Sequence, residues 1–388
     1  MIKIKLDNPS NIENLHFNYL NSVVSDRLLE QINIANSTPD LKLVKFLEFI
    51  KVQLKTILIG KREHLEALIV EIEKEHYVSI KKITAIETER RKEADGRKKD
   101  FSSKIKKFLS KSILYEHIDD KEPESFDKYQ KALETLHKKF EGYGKVLKGI
   151  FDYKKFTGAT EGWSGYELAS HLNVGVCPYC NRSFTTTLRK VDGQGKQMRP
   201  DYDHYYLQSR YEYLGLSLYN LIPSCAICNR TLKGETDFYN NEVIHPYEEE
   251  FLEVASFSTD FDYTNGDGYK YLLGEPVDFK VNININTTDD ALYKRVENAI
   301  ETFNLDAIYN SHKDIILDII WISRLSTEDR FDELYKVFGN MFNSKEEFTQ
   351  RFFMNYMTPE NQGKRPLAKL TQDISKELGL LFEGSKKK

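Results

Sequence analysis

The sequence predicts an α+β protein that is mainly helical, and two observations support this prediction. Residues 40–122 contain no proline, and their apolar residues recur every three or four positions, which is the period of an amphipathic helix. Much later, VDFKVNININ (Val277 to Asn286) alternates apolar and polar residues, as a half-buried strand does. We therefore expect a helical domain at residues 1–150, a central domain at 160–250, and a strand-plus-helices region at 251–388 that packs on the central domain.

Length and composition are typical of a globular chain. Its 388 residues suffice for two or three domains, and 40% apolar with 30% charged residues argues against disorder. The N-terminus has no signal-peptide pattern, and no stretch approaches the roughly 20 apolar residues of a membrane span. The sequence thus predicts a cytoplasmic protein without membrane contact. The net charge of −4 excludes a uniformly basic coat for nucleic acid but leaves room for a local basic surface.

In the N-terminal domain the apolar residues group into two or more amphipathic helices. One group runs from Ile50 to Leu58 and another from Leu65 to Ile72, with Gly60 between them. From Lys81 to Lys111 the chain turns basic, with twelve Lys or Arg against five Asp or Glu. This basic segment is either a solvated helix face or a track for DNA backbone phosphates, and the sequence leaves both open.

Two helices are expected after the strand. The first spans Ala291 to Phe303, and the second spans Ser311 to Arg324. Ser311 can cap the second helix, because Asp314 follows three residues later in the arrangement of a capping box. These helices complete the C-terminal region.

All four cysteines lie in two C-x-x-C pairs within the central domain. Cys177 and Cys180 form the first pair, and Cys225 and Cys228 form the second. A C-x-x-C pair of this kind forms a tight turn, called a knuckle. Two knuckles brought face to face are typical of a tetrahedral Cys₄ zinc site. A closed site of this kind has no open position for a substrate, so its zinc ion would be structural.

The first pair alone has a competing interpretation. Cys-Pro-Tyr-Cys is the active-site run of a glutaredoxin-like dithiol oxidoreductase, which would hold no zinc and would carry a low-pKa thiol at Cys177. Such a fold places its cysteines at a strand-to-helix turn inside a βαβ unit. Here a helical domain precedes the pair, and the redox interpretation does not explain the second pair. Metal binding is therefore the favoured interpretation.

A second pattern begins between the two cysteine pairs and continues through the second pair. Asp203-His204 is followed by NLIPSCAICNRTLK, which runs from Asn220 to Lys233. In this order the chain resembles the HNH endonucleases, which have a ββα-metal fold. Family members that contain a structural zinc site place one C-x-x-C pair before an Asp-His pair. Their other C-x-x-C pair lies within a run similar to the one from Asn220 to Lys233. The resemblance covers about residues 176–245 and implies a central HNH domain flanked by helical regions.

The resemblance implies a role for each matching residue. His204 would be the base that takes a proton from the attacking water, because imidazole titrates near neutrality. Asp203 and Asn229 would hold a catalytic Mg²⁺ or Mn²⁺ ion through oxygen atoms. Asn220 would hold the loop and orient His204. Many members have histidine where this chain has Asn229, a difference that changes metal affinity.

Each of these residues also has a plainer interpretation. The Asp-His pair alone is typical of a surface or capped pair, Asn220 of a turn, and Asn229 of a zinc knuckle or a helix cap. Lys233 is a candidate phosphate contact or a solvated lysine. His245 is a candidate substitute metal ligand, or a residue that packs behind the ligands.

Longer phrases resemble a narrower group of nucleases. WSGYELASHLNVGVCPYCNRSF, NLIPSCAICNRTLKGETDF and the later FNLD and RPLAKL stretches are similar to the PtuB-type HNH nucleases of Septu-type anti-phage systems. Members of that group work beside an ATPase. The resemblance implies a bacterial defence nuclease that cleaves DNA, or RNA, with an ATPase partner that docks on the N-terminal helical domain. The alternatives are a non-catalytic zinc-stabilised module that binds nucleic acid or protein and the dithiol oxidoreductase.

Overall fold

The computed structural model describes residues 1–38, 40–93, 111–119, 121, 125–189, 195–252, 254–261, 279–325 and 328–380. Over these residues the protein is mainly helical and contains two small two-stranded sheets. The predicted α+β class, mainly helical, is confirmed at this level. Within the described ranges, every helix falls short of the length or the apolar character that a bilayer span demands.

The chain divides into two compact units that do not follow its order. The helical unit comprises residues 7–171 and 203–222, and the cysteine unit comprises residues 1–6, 172–202 and 223–388. The segment at 203–222 therefore packs with the N-terminal helices although it lies between the two cysteine pairs in sequence. This division differs from the three consecutive domains that we expect from the sequence, which stay a prediction.

The helical unit is built mainly from helices. Its described α-helices are α1 (Pro9–Asn36), α2 (Leu41–Val52), α3 (Leu54–Ile59), α4 (Arg62–Glu75), α5 (Ile80–Glu93), α6 (Phe126–Ile150), α7 (Tyr153–Gly158) and α8 (Gly165–Leu172), which ends one residue beyond the unit. Short 3-10 helices lie at Ile113–Glu116, Glu212–Leu214 and Leu218–Asn220.

The apolar periodicity of α2, α3 and α4 places the expected side chains in the core. Those side chains are all buried: Ile50, Leu54, Ile57, Leu58, Leu65, Leu68, Ile69 and Ile72. α2 begins after Asp40, whose carboxylate accepts a hydrogen bond from the Leu43 N–H at 3.0 Å. The predicted amphipathic helices are therefore confirmed.

The basic segment expected after these helices is described only in part. α5 contains its first residues, and residues 94–110 lie outside the described ranges. Within α5, Arg90 is buried and pairs with Glu87 at 2.9 Å, and Lys82 pairs with Glu73 at 2.5 Å. These two cations stabilise the helical unit instead of forming a solvated face. The DNA track stays a prediction.

The cysteine unit combines a hairpin of two strands with helices. β3 (Ala255–Phe261) and β4 (Phe279–Ile285) are antiparallel, with Thr259 opposite Val281. The helices are α9 (Asp290–Thr302), α10 (Leu305–Asn310), α11 (Lys313–Leu325), α12 (Glu328–Phe338), α13 (Lys345–Phe352) and α14 (Ala368–Glu377). Shorter 3-10 helices lie at Gly339–Met341 and Pro359–Lys364.

The predicted strand and the first predicted C-terminal helix are both present. β4 covers the described part of the expected strand, and its residues Phe279 and Val281 are buried. α9 covers the expected helix and is capped by Asp289, whose carboxylate accepts a hydrogen bond from the Leu292 N–H at 2.9 Å. Both predictions are confirmed.

The second predicted C-terminal helix begins later than expected. It starts at Lys313 as α11, and Ser311 instead ends the preceding helix α10. The Ser311 hydroxyl donates to the Ile308 carbonyl at 2.6 Å, one of the carbonyls left open at the end of a helix. The predicted N-terminal cap at Ser311 is therefore wrong, because the Ser311 hydroxyl donates its hydrogen bond to a carbonyl of the preceding helix.

The smaller sheet has two short strands. β1 (Asp201–His204) pairs with β2 (Leu221–Ser224). A π-helical turn at Ile227–Lys233, called the short helix below, follows β2. The chain order here is strand, strand, helix.

Candidate functional site

The first knuckle is a tight turn closed by backbone hydrogen bonds. The Asn181 N–H donates to the Cys177 carbonyl at 2.8 Å, and the Cys177 N–H donates to the Ser183 carbonyl at 2.9 Å. Asn181 has a φ of 47°, a left-handed conformation that asparagine adopts more readily than most residues. The turn therefore has a local sequence cause in the residue that directly follows Cys180.

The second knuckle joins β2 to the short helix. Cys225 follows the last residue of β2, and the Cys228 N–H donates to the Cys225 sulfur at 3.4 Å. The Asn229 N–H donates to the Cys225 carbonyl at 3.0 Å, so Asn229 closes this turn. Its side chain is half-buried.

The two knuckles bring the four cysteines together. Their sulfur atoms all lie within 4.8 Å of one another, and Cys177, Cys180 and Cys228 are buried. A tetrahedral zinc site with Zn–S bonds of about 2.3 Å sets its sulfur atoms about 3.8 Å apart. The cluster is therefore compatible with zinc, as the spacing of the cysteines predicts.

Crowding makes the four thiols unequal as acids. Burial raises the pKa of Cys177 well above its usual value, and hydrogen bonding with Cys177 raises the pKa of Cys228. Hydrogen bonding with Cys177 also lowers the pKa of Cys180 and lowers that of Cys225 to about 7. Four adjacent thiolates, three of them buried, would repel one another, and a divalent cation relieves that repulsion. The donor set thus fits a metal ion.

The dithiol oxidoreductase finds no support in this geometry. A reactive thiol of that kind is partly exposed and has a lowered pKa. Cys177 is instead fully buried with a raised pKa, and its neighbours include both members of the second pair.

C-terminal residues cover the first knuckle within the cysteine unit. The Tyr309 hydroxyl donates to the Cys180 carbonyl at 2.7 Å. Asn181 is fully buried; its carbonyl accepts from the Leu367 N–H at 2.6 Å, and its Oδ1 accepts from the Lys369 N–H at 3.1 Å. The RPLAKL stretch therefore packs on the knuckle, a contact that no local pattern in the sequence specifies.

Asp203 and His204 are neighbours in β1. Successive residues of a strand point to opposite faces, and accordingly Asp203 is buried while His204 is half-buried. Nε2 of His204 lies 3.1 Å from the Gly215 carbonyl oxygen, and the Tyr153 ring packs edge-on at 4.6 Å between centroids. Because a carbonyl only accepts, Nε2 must carry the proton, which leaves Nδ1 as the basic nitrogen of the neutral ring.

Asn220 closes the loop at residues 205–219 by hydrogen bonds to the backbone. Its Oδ1 accepts from the Tyr206 N–H at 2.6 Å, and its Nδ2 donates to the carbonyls of Tyr206 and Leu214, each at 3.1 Å. Asn220 is fully buried. This is the geometry of the loop-holding role that the sequence suggests, and its part in catalysis stays a prediction.

His16 of α1 holds the same loop. Its Nε2–H donates to the Leu216 carbonyl at 2.8 Å, and its Nδ1 accepts from the Trp163 indole N–H at 3.0 Å. Burial lowers the pKa of His16 to about 4, so the ring is neutral at physiological pH. His16 is therefore a fixed link between α1 and the residue that follows Gly215.

Two acids, the half-buried Glu66 and the buried Glu212, complete the support of the loop. The Tyr206 hydroxyl donates to Glu66 at 2.7 Å, and the Tyr77 hydroxyl donates to Glu212 at 3.1 Å. Burial raises the pKa of Glu212 to about 7, and the Lys148 ammonium lies 4.0 Å away. Sequence reasoning missed these residues and His16, because each of their side-chain hydrogen bonds given above joins positions more than a hundred residues apart and no local pattern marks them.

The remaining predicted residues lie in or after the short helix. Lys233 is only 2% exposed, and its ammonium lies 4.7 Å from the Phe238 ring centroid. The interpretation of Lys233 as a solvated lysine is therefore wrong. The predicted phosphate contact would need an exposed ammonium group, and that of Lys233 is buried. His245 is fully buried and its ring lies 6.1 Å from that of Tyr247, an environment typical of a packing residue.

The predicted site residues are divided between the two units. The cysteine unit contains the four cysteines and Asn229, and the helical unit contains Asp203, His204 and Asn220 with their supporting side chains. In comparisons with protein families, curated proteins and solved structures, nothing matches this chain.

Proposed function

We propose that the protein is a metal-dependent HNH endonuclease that hydrolyses phosphodiester bonds in DNA. The observation that carries the proposal is the hydrogen bond from Nε2 of His204 to the Gly215 carbonyl, in a loop that Asn220 closes. The chain order of β1, β2 and the short helix is the order of a ββα-metal domain, which gives this histidine a context.

The environment of His204 suits a general base. With Nε2–H donated to a carbonyl, Nδ1 is the nitrogen that can take a proton from an attacking water. The ring is half-buried, so water can reach it, and the packed Tyr153 ring limits its rotation. Asn220, His16 and the two acids Glu66 and Glu212 hold the loop whose carbonyl orients the His204 ring.

Oxygen donors in the motif fit a hard divalent ion. Asp203 and Asn229 would hold Mg²⁺ or Mn²⁺, because carboxylate and amide oxygens are the ligands that these ions prefer. The bound ion would neutralise charge on the phosphate and on the leaving oxygen. The role of Asn229 rests on its place directly after Cys228 in the motif.

The zinc proposed at the cysteine cluster has a different task. Four sulfur ligands fill a tetrahedral site, so no position is left for substrate and the ion would be structural. It would tie the first knuckle to the second across 44 intervening residues. The two metals are therefore chemically distinct, one held by sulfur and the other by oxygen.

A biological setting follows from the same resemblance. We propose that the nuclease is the effector of a bacterial anti-phage system in the cytoplasm, with an ATPase partner on the N-terminal helices. The packing of the RPLAKL stretch on the first knuckle supports the narrower resemblance, because it joins two of the phrases on which that resemblance rests.

Plasmid cleavage tests the proposal. Wild type with Mg²⁺ or Mn²⁺ is compared with His204→Ala, and His64→Ala, an exposed histidine of α4, is the matched control. Loss of a general base lowers the rate by about 10²–10⁴-fold, while the control and the zinc content of all three stay unchanged. Cleavage by His204→Ala at the wild-type rate would overturn the proposal.

A non-catalytic zinc-stabilised binding module is the second candidate. One observation favours it: Asp203 is 2% exposed, whereas a metal ligand that meets a substrate phosphate needs access. A wild-type protein that holds zinc, binds DNA and never cleaves it, with its partner ATPase present, would establish this candidate instead.

A further inference from the structure

A hairpin leaves the first knuckle and carries exposed apolar side chains. Val176, directly before Cys177, pairs with Phe184, and Leu188 pairs with Met198 through hydrogen bonds of 2.8 and 3.0 Å. The name knuckle hairpin is used here for residues 184–189 and 195–199; the residues between them lie outside the described ranges.

One face of the knuckle hairpin is anchored. Thr185 is buried, its N–H donates to the Gly175 carbonyl at 3.0 Å, and its hydroxyl donates to the Val174 carbonyl at 2.6 Å. Side chains alternate along an extended chain, so Phe184, Thr186 and Leu188 share the opposite face. The anchor fixes which face is turned to solvent.

The opposite face is apolar and open. Phe184 is 66% exposed, Leu188 is 50% exposed and Met198 is 51% exposed. Leu188 and Met198 exchange both backbone hydrogen bonds, so their side chains stand on the same face. A group of large apolar side chains held open by an anchored backbone is typical of a binding surface.

The charge around this face indicates what it binds. The described residues of the knuckle hairpin include three cations, Arg189, Lys196 and Arg199, and no Asp or Glu. Lys196 is exposed and, two residues from Met198, belongs to the same face. The surface therefore combines flat apolar contacts with positive charge, which complements a partner that offers aromatic faces and phosphates.

We propose that the knuckle hairpin binds single-stranded nucleic acid, with bases against Phe184, Leu188 and Met198 and a backbone phosphate at Lys196. A single strand can place its base faces on apolar side chains, whereas in a duplex the bases are stacked on each other. The inference rests on the proposed nuclease function. It deepens that proposal, because it names single-stranded nucleic acid as the substrate class.

The hairpin also depends on the cysteine cluster. Phe184 pairs with the residue before Cys177, and the Cys177 N–H donates to the Ser183 carbonyl at 2.9 Å. A metal that holds Cys177 in place therefore holds the base of the hairpin. Removal of zinc is expected to weaken binding of the strand together with the loss of the knuckle.

Fluorescence anisotropy tests the proposal with a labelled 20-nucleotide single strand and its duplex. The measurements use His204→Ala protein without added Mg²⁺, so that binding is read without cleavage. Adding Phe184→Ala removes one stacking contact and is expected to weaken single-strand binding about tenfold. The matched control is Phe338→Ala, an aromatic residue of α12 that is 47% exposed, and it leaves binding unchanged.

A second variant keeps the test independent of folding. Lys196→Ala is expected to lower the slope of log affinity against log salt concentration by about 0.7, the share of one phosphate contact on a single strand. Lys336→Ala, exposed on α12, is its control. Zinc content and thermal unfolding show that each variant is folded.

The outcomes separate this inference from the proposed function. Wild-type binding by folded Phe184→Ala and Lys196→Ala proteins, or tighter binding of the duplex, would overturn the inference. Plasmid cleavage could then still depend on His204. Conversely, strand binding that depends on Phe184 in a protein without nuclease activity would overturn only the proposed function.

Discussion

The cysteine unit and the helical unit hold their polar centres by different means. In the cysteine unit, four sulfur atoms within 4.8 Å make a cluster whose repulsion a cation relieves. In the helical unit, the loop beside His204 is held by hydrogen bonds from Asn220, His16 and Tyr77. The cysteine cluster offers four ligands that fit a metal ion, whereas the hydrogen bonds that hold the loop beside His204 join protein groups alone. Fold integrity and the orientation of the proposed base can therefore be perturbed separately.

The largest expected effect is the loss of one sulfur ligand. Cys228→Ser should abolish tight zinc binding and destabilise the cysteine unit by several kcal/mol, since structural zinc in small peptides contributes on the order of 10 kcal/mol. Hydrogen exchange should then rise at residues 172–189 and stay unchanged at 205–220. Ala226→Ser, an exposed change within the same knuckle, is the control. Full zinc content in Cys228→Ser would show that zinc binding does not depend on the Cys228 sulfur, against the difference proposed between the two units.

Asn220→Ala perturbs the other centre. It leaves the Tyr206 N–H and the carbonyls of Tyr206 and Leu214 without their partner, at a cost of about 4 kcal/mol for three buried groups. Hydrogen exchange at 205–216 should rise, and cleavage should fall with zinc content unchanged. Asn14→Ala, exposed in α1, is the matched control. Loss of zinc in Asn220→Ala would show that the two centres are coupled.

Glu212 gives the helical unit a pH dependence. Burial raises its pKa from 4.5 to about 7, so between these pH values the folded chain binds more protons than the unfolded chain. The free energy of unfolding therefore falls as pH rises through this window. Glu212→Gln stays neutral and should exceed wild type in stability by roughly 2 kcal/mol at pH 8 but match it near pH 4.5.

Urea unfolding at both pH values measures this difference. Glu63→Gln, an exposed change in α4, should follow the wild-type curve. Parallel pH profiles for Glu212→Gln and wild type would contradict the assignment. The cysteine unit should show no part of the change, because Glu212 belongs to the helical unit.

The smallest expected effect is at the short helix. Arg230 makes a bidentate pair with Asp201, with N···O distances of 2.7 and 2.8 Å, but the Arg230 side chain is 71% exposed. A double-mutant cycle of Arg230→Ala with Asp201→Ala should give a coupling of about 0.5 kcal/mol that shrinks at high salt. A coupling several times larger would mean that the pair, and not the metal alone, holds the short helix.

Local signals account for what the sequence could predict. In each pair two residues separate the cysteines, and this spacing is typical of a zinc knuckle. The presence of two such pairs therefore predicted a single four-cysteine cluster. The helices around Ile57 and Ile69 followed from periodicity, because one apolar face must be buried. Ser311 shows the limit of such signals: a serine can bond forward as a cap or backward to a carbonyl, and here it bonds backward to Ile308.

Long-range contacts account for what could not be predicted. His16 and Leu216 are 200 positions apart, and Tyr77 and Glu212 are 135 positions apart. A buried histidine or glutamate has no sequence signature of its partner, because the fold alone brings the two together. The same holds for the burial of Lys233, whose place in the motif suggested an accessible cation.

The contact between Asn181 and Lys369, 188 positions apart, has a consequence for how the protein is made. Chains leave the ribosome from N-terminus to C-terminus, so both cysteine pairs emerge well before the segment that covers the first of them. Contacts of such long sequence separation also form late, since a large loop must close first. The nascent knuckles are thus open to zinc during translation, and the RPLAKL stretch docks onto a turn that is already assembled.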